Sequence, residues 1–500
     1  MHYQSTRNKN IVVQSAEAIK MGISPDGGLF VPQHKPKMSK KDITALAKLT
    51  YNERAVNILK LFLTDFSEQE IKQCVDSAYN KEKFETDNIA PIYKLDSSTY
   101  FLELWHGPTC AFKDIALQIL PHLLTQALVK TGEDKEILIL VATSGDTGKA
   151  ALEGFKNVAG TKMIVFYPEK GVSEIQKLQM ITQEGENVAV SAVEGNFDDA
   201  QNGVKAIFAD DQYKQMLSDN GYKFSSANSI NWGRLVPQII YYFSAYADLL
   251  KNEEISEDEK INIVVPTGNF GNILAAYYAK QMGLPVNKLI CASNCNNVLT
   301  TFINEGIYDR NLDFKTSISP SMDILISSNL ERLLFDITGD DHLRVNTWMQ
   351  QLKETGRYEV ADITKEKIKE IFWAGYCSDE ATCDTIRQAE SEYSYVVDTH
   401  TAVAKNVYDQ YVKATGDDTK TLIVSTASPF KFNQSVSLAL FESEEVQRKD
   451  EFELLEMLAE KSGLRIPKSL LELKVKNILH KTICTKEEMH QVVNEVLFKS

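Results

Sequence analysis

Five hundred residues, 43% hydrophobic and 25% charged, describe an ordinary soluble globular chain sized for about two to four domains. A formal net charge of −15 argues against nucleic acid or an anionic membrane surface as a partner, while leaving room for a basic pocket that takes a small anion. No apolar run approaches the roughly 18 residues of a membrane span, and the start MHYQSTRNKN has no apolar signal-peptide core.

Seven scattered cysteines, an odd number, suit a reducing cytoplasm better than a disulfide framework, so a cytoplasmic location is expected. Cys291 and Cys295 lack companions at metal-ligand spacing, and no metal is expected.

The first hundred residues combine a strand (NIVVQSA), a tight turn at Asp26-Gly27-Gly28 and helical apolar spacing over 40–64 and 67–79. The apolar run TYFLELW then leads through HGPTCAFKD into a helical run, DIALQILPHLLTQAL. From 136 the pattern alternates. EILILVA is a buried strand, TSGDTGKAALEGF a glycine-broken loop entering a helix, and KMIVFYP and NVAVSAVEG are further strands. A helix is expected over 198–218 and a long amphipathic one over 234–251. The charged stretch KNEEISEDEK (251–260) reads as a solvated connector. The strand–glycine loop–helix theme returns in INIVVPTGNFGNILAAYYAKQMG, followed by a strand in KLICASN. Helices are expected at 342–355 and 363–374, a last strand in TLIVSTASPFKF, and a charged helical tail. Strand, helix, strand at this spacing predicts parallel sheets with right-handed crossovers.

Three stretches could carry chemistry. Lys113 sits where a strand and a turn hand over to a helix. The loop Pro266-Thr267-Gly268-Asn269-Phe270-Gly271-Asn272 joins a buried strand to a helix, so its N–H groups and the helix start can cradle a phosphate. Such a loop also occurs in proteins that bind nothing there. The loop Thr143-Ser144-Gly145-Asp146-Thr147-Gly148-Lys149 is not a Walker A motif, because two residues separate its glycines and Ala150 follows the lysine. Neither loop fits GxGxxG. The second loop's hydroxyls and N–H groups suit a carboxylate, although Ser144 and Thr147 could equally cap a helix.

A lysine at a strand–helix junction, a Ser/Thr loop and a later glycine-rich loop together resemble the tryptophan-synthase-β-like (fold type II) pyridoxal-phosphate enzymes. HGPTCAFKD narrows the resemblance to the threonine synthase family. STR, SPDGGLFVP, TSGDTG, FYPEKGVSEIQKLQM, VEGNFDDAQ, NSINWGR, PTGNFGN, SPSMDI, SSNLERLLFD, THTAV and SPFKF continue it in order across residues 3 to about 470. Two positions depart from the family pattern: Thr399 stands where proline is frequent, and Phe430 replaces a smaller residue beside Lys431.

The resemblance implies an α/β fold with two parallel-sheet domains. These are a large cofactor domain (96–130 and 251–440) and a smaller substrate domain (131–250), with an N-terminal α-rich domain (1–95) and a C-terminal helical segment (441–500). It implies that Lys113 forms the covalent link to pyridoxal 5'-phosphate and that Gly268, Asn269, Phe270, Gly271 and Asn272 hold the cofactor phosphate. Thr426 is expected to face the pyridine nitrogen. Ser144, Asp146 and Thr147 are expected to bind substrate, with Arg234 and Lys431 as candidates for its phosphate. The implied reaction converts O-phospho-L-homoserine and water to L-threonine and phosphate, by γ-elimination and hydration at Cβ. A monomer or homodimer is expected. A serine/threonine dehydratase and a catalytically silent binding protein are the competing readings.

Among neighbouring residues, Asp114 is expected to cap the helix after Lys113. His106 reads either as a positioning group or as a buried histidine bonded to backbone. His400 reads as structural, Tyr241-Tyr242-Phe243 as a core helix face, and the acidic stretch 442–453 as solvated.

Overall fold

In the computed structural model, which describes residues 1–143, 145–170 and 172–498, the apolar runs become the inner strands of two separate sheets. Ile261–Pro266, buried along its whole length, lies inside a six-stranded sheet. The spatial order is Phe372–Tyr376, Val286–Ser293, Ile261–Pro266, Thr421–Ser425, Thr99–Glu103, Ile92–Lys94, and only the last pair is antiparallel. Alternate side chains along a strand point to opposite faces, which accounts for both faces being apolar. Ile263 and Val265 share one core with Ile273 and Leu274 of the helix Gly271–Met282. Val264 shares another with Ala404 and Val407 of the helix Thr399–Thr415.

The second sheet is wholly parallel, in the order Thr482–Cys484, Val188–Val193, Thr161–Pro168, Glu136–Ala142, Tyr222–Ser225. Its first member comes from the C-terminal segment, which sequence periodicity presents as helical throughout. Three residues cannot announce a strand by themselves; pairing with Val188–Val193 makes them one. The helix Met489–Phe498 then covers this face, with Met489 and Val493 packed against Leu138, Leu140, Ile164 and Phe166.

The N-terminal region holds the helices Tyr51–Phe62 and Glu68–Ala78, started by reciprocal caps Thr50/Glu53 and Ser67/Glu70. It also contains a three-stranded antiparallel sheet, Val12–Gln14, His2–Ser5, Phe30–Pro32. The turn at Asp26–Gly28 is present, with Gly27 at φ +78°.

Several elements differ from expectation. The helix over 363–374 stops at Ile371, and Phe372–Tyr376 pairs instead with the edge of the large sheet. The helix over 198–218 divides into Phe197–Ala209 and Asp211–Asp219, because the Asp210 carboxylate accepts the Tyr213 N–H and starts a second helix. The segment expected to be amphipathic, Trp232–Lys251, is buried on all sides through Ala247, wedged between the N-terminal helices and the helices Lys113–Thr131 and Gly271–Met282. No helix among the described residues is long and apolar enough to cross a membrane.

Candidate active site

The motif HGPTCAFKD folds over the C-terminal ends of the large sheet's strands. Beyond Thr99–Glu103 the chain stays tied to the neighbouring strand's exit: the Leu104 N–H donates to Ser425 O, the Phe112 N–H to Thr426 O, and the Ser428 N–H to Cys110 O. Cys110 adopts φ +59°, which reverses the chain inside this loop.

Asp114 is not the helix cap. It lies inside the helix Lys113–Thr131 and turns back to accept from the Thr109 N–H at 2.8 Å and the Thr109 hydroxyl at 2.7 Å. A Cβ at Gly107 would meet Asp114 at 2.5 Å, so this fold-back needs glycine. Burial, opposed by the Thr109 bonds and Lys431, pushes the Asp114 carboxyl up to about 6.

Lys113 opens that helix. Its Nζ lies 3.3 Å from Ser321 Oγ and 3.5 Å from Asp146 Oδ2. Burial drives its proton affinity below the usual lysine range; Asp146 opposes this, while Lys431 and Arg234 add to it. Asp146 opens the helix Asp146–Phe155 and collects Lys431 Nζ at 3.0 Å, the Ser321 hydroxyl at 2.7 Å and Gln176 Nε2 at 3.3 Å. Burial disfavours its charge, but Lys431, Lys113 and Ser321 outweigh burial and hold it far below the ordinary carboxylate range. Thr147 follows, half-buried. Ser144 lies outside the described residues.

The glycine loop joins Ile261–Pro266 to Gly271–Met282, with Phe270 in the left-handed region at φ +61°. Its carbonyls are occupied from behind. The Ser327 hydroxyl donates to Gly268 O at 2.7 Å, and the Asn329 backbone N–H and Nδ2 donate to Asn269 O at 3.1 and 3.0 Å. The first N–H groups of a helix have no intrahelical acceptor, so this helix start offers donors on its open side. Asn272 adds another: its Oδ1 accepts from the hydroxyls of Tyr241, at 2.5 Å, and Tyr242, leaving a buried Nδ2 without a protein partner. The two tyrosines expected to be core thus also brace this loop.

Arg234 is buried. One terminal nitrogen donates to Ala227 O at 2.7 Å, while its Nε is buried without a partner, and burial lowers its proton affinity to about 10. Lys431, on the turn Pro429–Phe432, is held by Thr109 O at 2.6 Å and by Asp146 at 3.0 Å. Thr426 is buried directly after the strand Thr421–Ser425.

His106 bonds Glu103 Oε2 at 2.7 Å and stacks on Trp105, so its partner is a carboxylate rather than backbone. His400 contacts Asp398 and the backbone N–H of Ser321. Ser321, within SPSMDI, touches both Lys113 and Asp146. Sequence reasoning gives it no role, since nothing in its spacing ties it to residues about two hundred positions away.

These features fit pyridoxal phosphate. The buried Asn272 Nδ2 without a partner and the helix start beside it suit a phosphate group, and an amine of lowered proton affinity suits condensation with a carbonyl. Among the described residues no cluster of three His, Cys, Asp or Glu side chains could hold a metal ion.

Comparison with known proteins agrees. Residues 2–79 match the family model "Threonine synthase N terminus", 84–427 match "Pyridoxal-phosphate dependent enzyme", and 401–470 match "Threonine synthase, C-terminal". The threonine synthase of Pseudomonas aeruginosa is 38% identical over 440 residues, covering 88% of this chain and 90% of that protein. Human threonine synthase-like 1 is 40% identical over 435 residues, 85% of this chain, and the chain spans only 58% of that protein's length. The crystal structure of PLP-bound threonine synthase from Brucella melitensis superposes with a TM-score of 0.88 at 34% identity, covering 99% of each chain.

Proposed function

From the premise that this chain belongs to the threonine synthase family of pyridoxal-phosphate-dependent enzymes, we propose that it converts O-phospho-L-homoserine and water to L-threonine and phosphate. The observation that carries this reading is the largely buried Lys113 amine, its side chain 11% exposed, held between Asp146 and Ser321 at the exits of the large sheet's strands. When bound, the cofactor supplies the electron sink that makes protons beside the amino-bearing carbon removable.

Each group of residues has its own task. The N–H groups of Gly268, Asn269, Phe270 and Gly271, with Asn272 Nδ2, hold the cofactor phosphate. Thr426 would offer the cofactor's ring nitrogen a hydroxyl, which cannot protonate it as a carboxylic acid would. Lys113 would carry the cofactor, and its freed amine would take a proton from Cα and one from Cβ as the γ-phosphate leaves, with protons returned to Cγ and Cα as water adds its hydroxyl at Cβ. A neutral amine is required for that, and burial favours one.

Asp146 serves by holding Lys113 and Lys431; the substrate carboxylate then falls to the helix-start N–H groups and the hydroxyls of Ser144 and Thr147. Arg234, with its unpartnered Nε, and Lys431 meet the substrate phosphate, for which Lys431 exchanges its Asp146 contact. Under this reading the large sheet belongs to the cofactor domain and the small sheet to the substrate domain. The enzyme acts in the cytoplasm as a monomer or homodimer, on a small anionic substrate and without nucleic acid; seven free cysteines support the reducing compartment.

The test is incubation of the purified protein with O-phospho-L-homoserine. Equal amounts of L-threonine and phosphate are expected. Neither product, with serine or threonine deaminated instead, would favour a dehydratase.

A further inference from the structure

We propose that Ser321 is a further active-site residue whose hydroxyl holds the Lys113 amine in place, and that His400 and Asp398 are positioning residues that fix the turn carrying it. The inference rests on the reading of Lys113 as the cofactor-bearing residue.

A serine hydroxyl has one hydrogen and two lone pairs. Ser321 commits its hydrogen to Asp146 Oδ2 at 2.7 Å, so a lone pair remains for Lys113 Nζ at 3.3 Å. Before substrate arrives, Asp146 is kept from turning away by Lys431, which holds its other oxygen at 3.0 Å. The hydroxyl therefore has a fixed direction and acts as an oriented acceptor for the amine.

The turn Pro320–Met322 is a single short 3-10 turn with no side-chain cap. Asn294 holds its flanks at Ser319 and Asp323 and Met322 is buried in the core, while its centre is tied down by the Ser321 backbone N–H, which donates to His400 Nε2 at 3.1 Å. For Nε2 to accept, the imidazole proton must sit on Nδ1, and Nδ1 faces Asp398 Oδ2 at 2.7 Å. Asp398 is itself pinned as the cap of the helix Thr399–Thr415, accepting from the His400 and Thr401 N–H groups. Asp398 and His400 are both buried, and Phe432 packs on the imidazole. A helix cap thus sets a tautomer, the tautomer sets a turn, and the turn sets the hydroxyl beside the reacting amine.

The charged groups acting on Lys113 come from each surrounding element: Asp146 from its helix start, Lys431 from the turn Pro429–Phe432, and Arg234 from the buried helix. His400 meets the turn through the Ser321 N–H. Asp114, on the lysine's own helix, is turned away onto Thr109.

Ser321 contacts Lys113 through its side chain and His400 through its backbone, so the two halves of the inference separate experimentally. Apo forms of wild type, Ser321→Ala, His400→Ala and His400→Gln are mixed with pyridoxal phosphate across a pH series. Covalent attachment is followed by visible absorbance, with Lys113→Ala as the baseline. Ser321→Ala is expected to attach at least about tenfold more slowly. Its pH profile should move to lower pH, because the amine has lost an acceptor that favours its protonated form. His400→Ala should behave likewise, and His400→Gln, which keeps an acceptor for the Ser321 N–H, should recover part of the rate. A Ser321→Ala protein with the wild-type rate and pH profile would overturn the inference. A slow Ser321→Ala beside an unaffected His400→Ala would overturn the positioning half. Absorbance that persists in Lys113→Ala is a different failure: it removes the Lys113 reading itself.

Discussion

At Gly268 a single missing methyl group decides whether the glycine loop and the Ser321 turn can coexist. A Cβ there would stand 2.9 Å from the backbone oxygen of Ser321, closer than carbon and oxygen tolerate without movement. Gly268→Ala should therefore cost about 1–3 kcal/mol of stability. It should also weaken pyridoxal phosphate retention, read by equilibrium dialysis of the holoprotein. Asp114 offers a second test at this scale. Its folded-state proton affinity, raised to about 6 by burial, exceeds that of the unfolded chain. Its contribution to stability is then complete below about pH 4 and lost as pH rises through about 6, an effect on the order of 3 kcal/mol. Urea unfolding of wild type and Asp114→Asn between pH 4 and 7 should show that fall in wild type and a smaller one in the variant. How much was legible in the sequence depends on what a residue's role consists of. Lys113 and Gly268–Asn272 stand in contiguous motifs at strand–helix junctions, where local pattern already implies backbone geometry. Ser321, Asn329 and Tyr241 act across long sequence separations through contacts that only the fold creates. Asp114 was legible as a polar group near a helix start, but its partner, Thr109, was decided by the loop's reversal at Cys110.

Among the elements, the helix Glu174–Ile181 links the active site to the C-terminal segment. Its first turn is closed from outside: Glu451 accepts the N–H groups of Glu174 and Ile175 at 2.9 and 3.1 Å. One residue on, Gln176 reaches Asp146. An acidic run that periodicity presents as solvated thus contains a cap for another element, and burial raises the Glu451 carboxyl. Glu451→Ala should destabilise the protein by about 1–2 kcal/mol and raise amide exchange across residues 174–181 more than elsewhere. Periodicity located most helices and strands but misjudged those whose fate is set by neighbours. Phe372–Tyr376 follows a helical run and became a strand by pairing at a sheet edge. Trp232–Lys251 kept its length but lost its expected polar face, because other helices surround it.

At the scale of the whole molecule, two sheets, one wholly parallel and one parallel but for its edge strand, place strand exits and helix starts around one amine, and the C-terminal tail completes the smaller sheet. Removing residues 477–500 would strip the strand Thr482–Cys484 from a sheet edge and uncover Leu138, Leu140, Ile164 and Phe166. The truncated protein should show a lower thermal midpoint and stronger binding of a hydrophobic dye than the full chain. A tail that leaves both unchanged would mean the smaller sheet is closed by other contacts. The alternation of strands and helices made the two parallel sheets predictable, whereas the return of the tail to the smaller sheet was not, since a three-residue strand leaves no periodic trace.

The central claim is that Lys113, among many lysines, carries the cofactor. The protein is loaded with pyridoxal phosphate, reduced with borohydride, digested, and its peptides weighed by mass spectrometry. One phosphopyridoxyl addition, on Lys113, is expected. An unmodified Lys113, with the addition on Lys431, Lys149 or any other lysine, would contradict it.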